Sequence, residues 1–583
     1  MSGDPLHLPD SLAEATWEQI RGWYDTLAEA PLGAEGLLDW LRSWSRLEAR
    51  LSEAASLAMI AYTCDTADQA KEAAHLRFSA EILPQVEQRS VALARRLVES
   101  GLEPPGFRTT LRRFRTATEL FREENIPLMM ELEGHSAAYQ RLTGSMTADW
   151  DGRRLPLPML SPFLQRPERD VRERAFRRAT EPYLKARNEL AGLFDRMHAL
   201  RRTVAGNAGF ANYRDYSFRA KFRFDYTPAD CESFHGVVER TVVPALRRLL
   251  AVRRGRLGVP ALRPWDLAPN PYLGEPLTPF RDVGELTAMG LRIFHAVDPV
   301  LGAQFRTMTE EGCLDLDSRE GKAPGGYCDT LHVRGRPFIF MNASGVMEDV
   351  TTLLHEAGHA FHAFAAHPIE FLWQRHPGAE AAELASMSME LIAGEHLARP
   401  IGGLEPDAAL RVQLDRLEDV LLGLAHIASV DAFQHWIYTQ PGGADADARD
   451  AEWVRLRDRF EPDLDWSGLE PERVARWYRQ LHLYLYPFYY IEYGIAQLGA
   501  LQVWRNVRRN RERGLRAYRA FLAQGATREL PELYRAAGAR LVFDEAGMRE
   551  LVTLVEDRIA ELRAQLAEEE VAPPPATREI GRD

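Results

Sequence analysis

TTLLHEAGHAFHAF, residues 351–364, is the stretch on which the reading of this 583-residue chain turns. Leu353, Leu354, Ala357, Ala360 and Phe361 recur at helical spacing and no proline interrupts them, so the segment reads as one helix. At 3.6 residues per turn, His355 and His359 then stand one turn apart on one face. Glu356, rotated about 100° from His355, cannot share their metal in the same way, yet it stays close enough to hold a water there. Two neutral imidazoles with a carboxylate as general base are what water activation at a zinc ion requires. A histidine on an apolar helix face can equally be a packed core residue, so the surroundings have to decide.

The chain as a whole narrows the choice. At 66.1 kDa it can bury one large core or a few ordinary ones, and 45% hydrophobic with 27% charged residues is the balance of a soluble globular protein. The 72 Lys+Arg against 85 Asp+Glu give −13, which argues against a nucleic-acid partner. The start, MSGDPLHLPD, has no basic segment followed by an apolar one, and the most apolar run, Val420 to Val430, is short and holds His426. No membrane partner is expected, and a cytoplasmic location is. Cys64, Cys231, Cys313 and Cys328 make no CxxC pair, so neither a disulfide framework nor a cysteine zinc site is suggested.

In chain order, Ser11 to Glu14 (SLAE) reads as a capping box opening a helix, and Leu37 to Leu83 as one or two long helices interrupted at Pro84. Helical pattern continues from about Thr109 to Gly134, from Arg169 to Ala205 and from about Ala229 to Val252. An early hairpin is expected at 148–157, turning at Asp151-Gly152. The arginines at 247, 248, 253, 254 and 256 read as a solvated helix end rather than an anion patch. Pro260 to Pro279 is a loop, yet its Trp265 and Tyr272 would be strange in a free linker. Between Cys313 and Ser344 the pattern turns to strands, and from Ala379 it is helical to about Gln565. Residues 567–583 have the composition of a disordered tail.

A catalytic zinc takes three protein ligands. A third histidine further along the motif is excluded, because Ala365 stands at that place, and 380–395 (EAAELASMSMELIAGE) offers several glutamates instead. Glu383, Ser386 and Glu390 share one helix face there, with Glu380 as a competing ligand. Four blocks, GGYCDTLHVRGRPFIFMNASG (325–345), DVTTLLHEAGHAFH (349–362), ELASMSME (383–390) and HLYLYPFYYIEYG (482–494), together resemble the thimet oligopeptidase and oligoendopeptidase F family of zinc peptidases, with the bacterial oligoendopeptidase F branch closer. The likeness extends more loosely from about Leu190 to Leu551.

The resemblance implies a mainly α, two-lobed helical metallopeptidase with a deep central channel and a small antiparallel sheet beside the zinc helix. It divides the chain into an N-terminal helical lobe (1–190) and a catalytic region (191–566). One Zn2+ per chain would be held by His355, His359 and Glu383, with Glu356 as base and Ser386, Glu390 and His362 behind the ligands. His482, Tyr486, Tyr490 and Tyr493 match family residues that reach the substrate carbonyl, and the spacing of Tyr486 and Tyr493 suggests one shared helix face. Phe338 to Asn342 resembles a sheet edge that pairs with substrate, which makes Gly325, Gly326, Tyr327, Phe338, Phe340 and Asn342 candidates for binding it. The implied activity is endopeptidase action on short unfolded peptides. A carboxypeptidase or dipeptidyl carboxypeptidase with the same centre, or a non-catalytic helical peptide-binding scaffold, are the alternatives.

Overall fold

The computed structural model describes residues 6–272, 277–319, 321–323, 325–461 and 463–571. It is mainly α-helical and two-lobed, with two small sheets. The helices that position the site are α1 (Leu37–Cys64), α2 (Pro228–Leu257), α3 (Met347–Ala366), α4 (Ala379–Ala393), α5 (Pro406–Thr439) and α6 (Tyr490–Arg509). One apolar core is built from the first lobe, with Trp40, Trp44, Leu47 and Leu97 fully or nearly buried, and takes Phe371 from far along the chain. The larger core runs from Leu132 to Leu566 and encloses α3 to α6. Among the described residues no helix is long and apolar enough to cross a membrane.

Several helix ends differ from the sequence pattern for local reasons. The first helix, Trp17–Glu29, is capped by Thr16 with Gln19 rather than opened at Ser11, whose hydroxyl instead accepts from the Ala13 amide. Pro84 does not end a helix. The chain passes through a π-helical turn at Arg77–Ile82, the kind of local widening that accommodates a proline, and continues without a break as Leu83–Glu99. The long stretch around 169–205 is two helices divided at Ala186, and Arg253 in the arginine cluster is buried, giving hydrogen bonds to the carbonyls of Leu267 and Pro269. Trp265 and Tyr272 are buried as a structured loop requires. The helix Glu545–Val571 includes the start of the expected tail, and 572–583 lie outside the described residues.

The early hairpin pairs β1 (Thr147–Trp150) with β2 (Arg153–Pro156), Asp151 and Gly152 both at positive φ. The second sheet corrects one expectation. β4 (Tyr327–Leu331) and β5 (Arg336–Ala343) form the antiparallel hairpin, but β3 (Leu314–Asp317) adds in parallel on the other side, giving the order β3-β5-β4 and a mixed sheet. The strand Phe338 to Asn342 is therefore central, not an edge, and its backbone groups are spent on both neighbours. The outer strand next to the motif helix is β4. A bulge between Asp315 and Asp317 is closed by Lys322, a fully buried ammonium that donates to the carbonyls of Asp315, Asp317 and Met341 and to Asp315 Oδ1, with the Phe340 ring 4.5 Å away.

The first lobe grips this region at two places. Thr63 on α1 shares a 2.7 Å hydrogen bond with the Tyr327 hydroxyl, and Glu53 accepts from the amides of Val333 and Arg334 in the hairpin turn. Between α3 and α4, Leu372 N donates to Ser45 Oγ and Trp373 Nε1 to Glu48 Oε2, with the Trp373 ring 4.4 Å from Trp44.

Candidate metal centre and its cleft

Helix α3 is opened by Asp349, whose Oδ2 accepts from the amides of Ser344, Gly345 and Val346. It carries His355 and His359 to where α4 brings Glu383. The two Nε2 atoms lie 3.4 and 3.9 Å from Glu383 Oε2, the rings are 4.9 Å apart and nearly perpendicular, and the three donor atoms all fall within 4.8 Å of one another. Ligands at zinc distances in a tetrahedron stand roughly 3.3 Å apart, so this set fits a dication with little movement. The competing glutamate is occupied elsewhere: Glu380 accepts from the Tyr226 hydroxyl at 2.6 Å.

What lets α4 come this close is Gly358. A Cβ there would stand 2.5 Å from Ser386 Cα and 2.8 Å from the Ala385 carbonyl oxygen. An interior helical glycine costs about 1 kcal/mol against alanine, a sign that its lack of a side chain is used.

Each donor is held from behind. Ser386 Oγ donates to the Glu383 carbonyl and to its Oε2, at 3.0 and 3.1 Å. Glu390 Oε1 takes His355 Nδ1 at 2.6 Å, which leaves Nε2 for the metal, and Arg416 from α5 closes on Glu390 Oε2. His359 is hydrogen-bonded to the backbone of Ala382, while burial holds its imidazole down at about 4 and so neutral. Removing the charge behind His355 in Glu390→Gln is expected to weaken metal binding about 10–100-fold, read by competition with a chromophoric chelator. Unchanged affinity would make that contact a packing feature only.

Glu356 is 8% exposed on the flank of the donors. Burial pushes its carboxyl up to about 7, His355 pulling it down and the Glu383 charge adding to the rise. His362 lies under the same helix against Phe521, its Nε2 without a hydrogen-bond partner, and burial holds it at about 3.

The tyrosine-rich stretch is not one helix. It forms a short helix, Leu481–Leu485, and α6, joined through Phe488 at φ +62°, so Tyr486 and Tyr493 share no helix face. Tyr486 is 53% exposed. The Tyr490 hydroxyl is taken by Gln480, and its ring packs on His426 and His482. Tyr493 and His482 stand together, rings 5.8 Å apart, and both feel the Glu383 charge. Tyr489, absent from the sequence candidates, donates its hydroxyl to Glu383 Oε1 at 2.9 Å. Arg416 is a second residue of the site that the sequence does not mark. Nothing in its own neighbourhood marks it, whereas the glycine inside HEAGH was a signal available for Gly358.

Beside the donors, a cavity of about 270 Å3 is lined by β4 (Cys328, Thr330), His359, His362, Glu383 and Tyr489. It shares His376 and Pro377 in its lining with a cavity of about 580 Å3, and that one shares Glu48, Ser90 and Leu372 with a third of about 650 Å3. Of the candidate binding residues, Phe340 is wholly buried under Tyr327, and Asn342 Nδ2 is spent on the carbonyls of Ala323 and Gly325. Phe338 packs against the main core, while Gly325, at φ +98°, and Gly326 bend the chain into β4.

Residues 163–553 match peptidase family M3, and residues 13–105 match the peptidase M3 N-terminal domain. Over 429 residues the chain is 22% identical to an oligoendopeptidase F homolog of Borreliella burgdorferi, covering 69% of this chain and 67% of that protein. It is likewise 22% identical over 402 residues to the oligopeptidase PepF of Bacillus subtilis, covering 66% of this chain but 56% of that one. The structure of PZ peptidase A with an inhibitor superposes with a TM-score of 0.86 at 28% identity, covering 93% of this chain and 96% of that chain.

Proposed function

Because the chain belongs to peptidase family M3, we propose that it is a zinc-dependent endopeptidase that cleaves internal bonds of short unfolded peptides. The observation that carries this is the convergence of His355, His359 and Glu383 with Glu356 on their flank, beside a cavity of about 270 Å3. Zinc held by those three side chains would polarise the peptide carbonyl and acidify a water beside it.

The chain's own groups supply the rest. Glu356 takes the proton of the attacking water and delivers it to the leaving amine, roles that suit a buried carboxyl poised near neutrality. Tyr493 on α6 and His482 on the short helix before it stand together within reach of the Glu383 charge. Burial, with the Glu383 charge adding to it, holds the Tyr493 hydroxyl well above the usual phenol range, so it remains a donor toward negative charge developing on the substrate oxygen. Tyr489 and Ser386 keep Glu383 aimed at the metal. The edge of β4 offers backbone groups to an extended peptide, a task the central β5 cannot perform. The four free thiols fit a reducing compartment such as the cytoplasm.

An internally quenched peptide blocked at both ends tests the proposal. Zinc-loaded protein is expected to cut it internally, and a chelator to abolish the cleavage reversibly. Trimming of free C-termini with no cut in the blocked peptide would replace the proposal with a carboxypeptidase. In the same assay Tyr493→Phe is expected to lower kcat about 10²-fold with little change in KM. An effect confined to KM would reassign Tyr493 to binding.

A further inference from the structure

Away from the cleft, α2 and α5 pack along one another and each carries a pair of metal-binding side chains one turn apart: Cys231 and His235 on α2, Asp431 and His435 on α5. The four side chains meet in the interior, 0, 4, 0 and 5% exposed respectively. Donor atoms of Cys231, Asp431 and His435 lie within 4.8 Å of one another. His235 Nε2 stands 2.8 Å from Asp431 Oδ2, and its ring is 5.5 Å from that of His435, nearly perpendicular to it.

The hydrogen-bonding of this cluster is incomplete. Both ring nitrogens of His435 and Oδ1 of Asp431 are buried without a hydrogen-bond partner. His435 Nε2 is 3.4 Å from Asp431 Oδ2 but out of alignment, and its Nδ1 is 3.8 Å from Glu232. Buried polar atoms are ordinarily paired, and three orphans at one point ask for a partner.

We propose that this crossing is a second metal site, a closed structural one for zinc or a similar transition dication, with Cys231, His235, Asp431 and His435 as its four ligands. A thiolate, a carboxylate and two neutral imidazoles around a dication sum to zero charge, which suits a buried place. Binding releases the Cys231 proton, while the proton that His235 directs at Asp431 moves to the other ring nitrogen, so that the imidazole stays neutral and its Nε2 is free to ligate. The His235 and Asp431 pair opens by roughly half an ångström to reach the spacing of tetrahedral zinc ligands. Pairs one turn apart on two facing helices supply four donors without any loop, and no open position is left for water. The site therefore fastens α2 to α5 rather than taking part in hydrolysis.

The whole chain, saturated with zinc and freed of excess by gel filtration, is expected to hold two zinc per chain, falling to one in His359→Ala and to one in Cys231→Ala. Because none of the three catalytic donors is sulfur, cobalt substitution gives an independent reading. The wild type is expected to show a near-ultraviolet thiolate-to-cobalt charge-transfer band, retained in Cys328→Ala and lost in Cys231→Ala. Asp431→Asn, which keeps the packing, is expected to weaken the second equivalent at least tenfold, and serves where Cys231→Ala fails to fold. A single zinc in the wild type that disappears in His359→Ala, or a cobalt form without the thiolate band, would overturn the proposal.

Discussion

Glu356→Gln is expected to retain its metal and its fold while kcat falls by about 10²–10⁴-fold, the range of a lost general base. Glutamine has nearly the same shape, so the 8%-exposed site stays filled and α3 keeps its packing. What it cannot do is accept a proton. His355, Glu383 and the groups behind them are untouched, so metal content measured alongside activity should equal that of the wild type, and KM should move little. A fall of less than tenfold would place the base elsewhere. A loss of metal would show that Glu356 also secures the donors.

Gly358→Ala is expected to cost stability and metal affinity together. On helix propensity alone alanine should stabilise α3 by about 1 kcal/mol. The sign reverses because the new carbon would lie 2.5 Å from Ser386 Cα and 2.8 Å from a carbonyl oxygen, backbone atoms that no rotamer change can move. Either α4 retreats from α3 or both helices distort, at about 3 kcal/mol or more, beyond ordinary overpacking. Glu383 and Ser386 ride on α4, so the retreat also withdraws the third donor. The expected result is a lower midpoint in chemical denaturation together with at least a tenfold loss of metal affinity. A variant as stable as wild type with normal metal content would mean that the helices are free to slide past one another.

The parts of this site that were legible in the sequence are those written in local periodicity. HEAGH on an apolar helix, ELASMSME on the next and two strands around Arg334-Gly335 each state their structure within about a dozen residues, and the structure joins them. The illegible parts depend on partners distant in the chain. That β5 is central follows from the pairing of Leu314 with Ile339, a parallel contact that alternation within β5 cannot announce. Arg416 reaches Glu390 only because α5 passes behind α4. The helix face that spacing suggests for Tyr486 and Tyr493 does not form, because Phe488 adopts a left-handed conformation that side chains of its kind rarely take, and this resets the helical phase for every residue after it. Tyr489 then occupies the place facing Glu383.

Lys322 gives the cleft a property the metal centre lacks. Its ammonium does for the β3–β5 bulge what a bound cation does in many loops, gathering three carbonyls and a carboxylate, but it is tethered by the covalent chain. No chelator can extract it and no competing ion can exchange with it. The pairing of β3 with β5, beside the strand that borders the donors, is thus independent of the supply of metal.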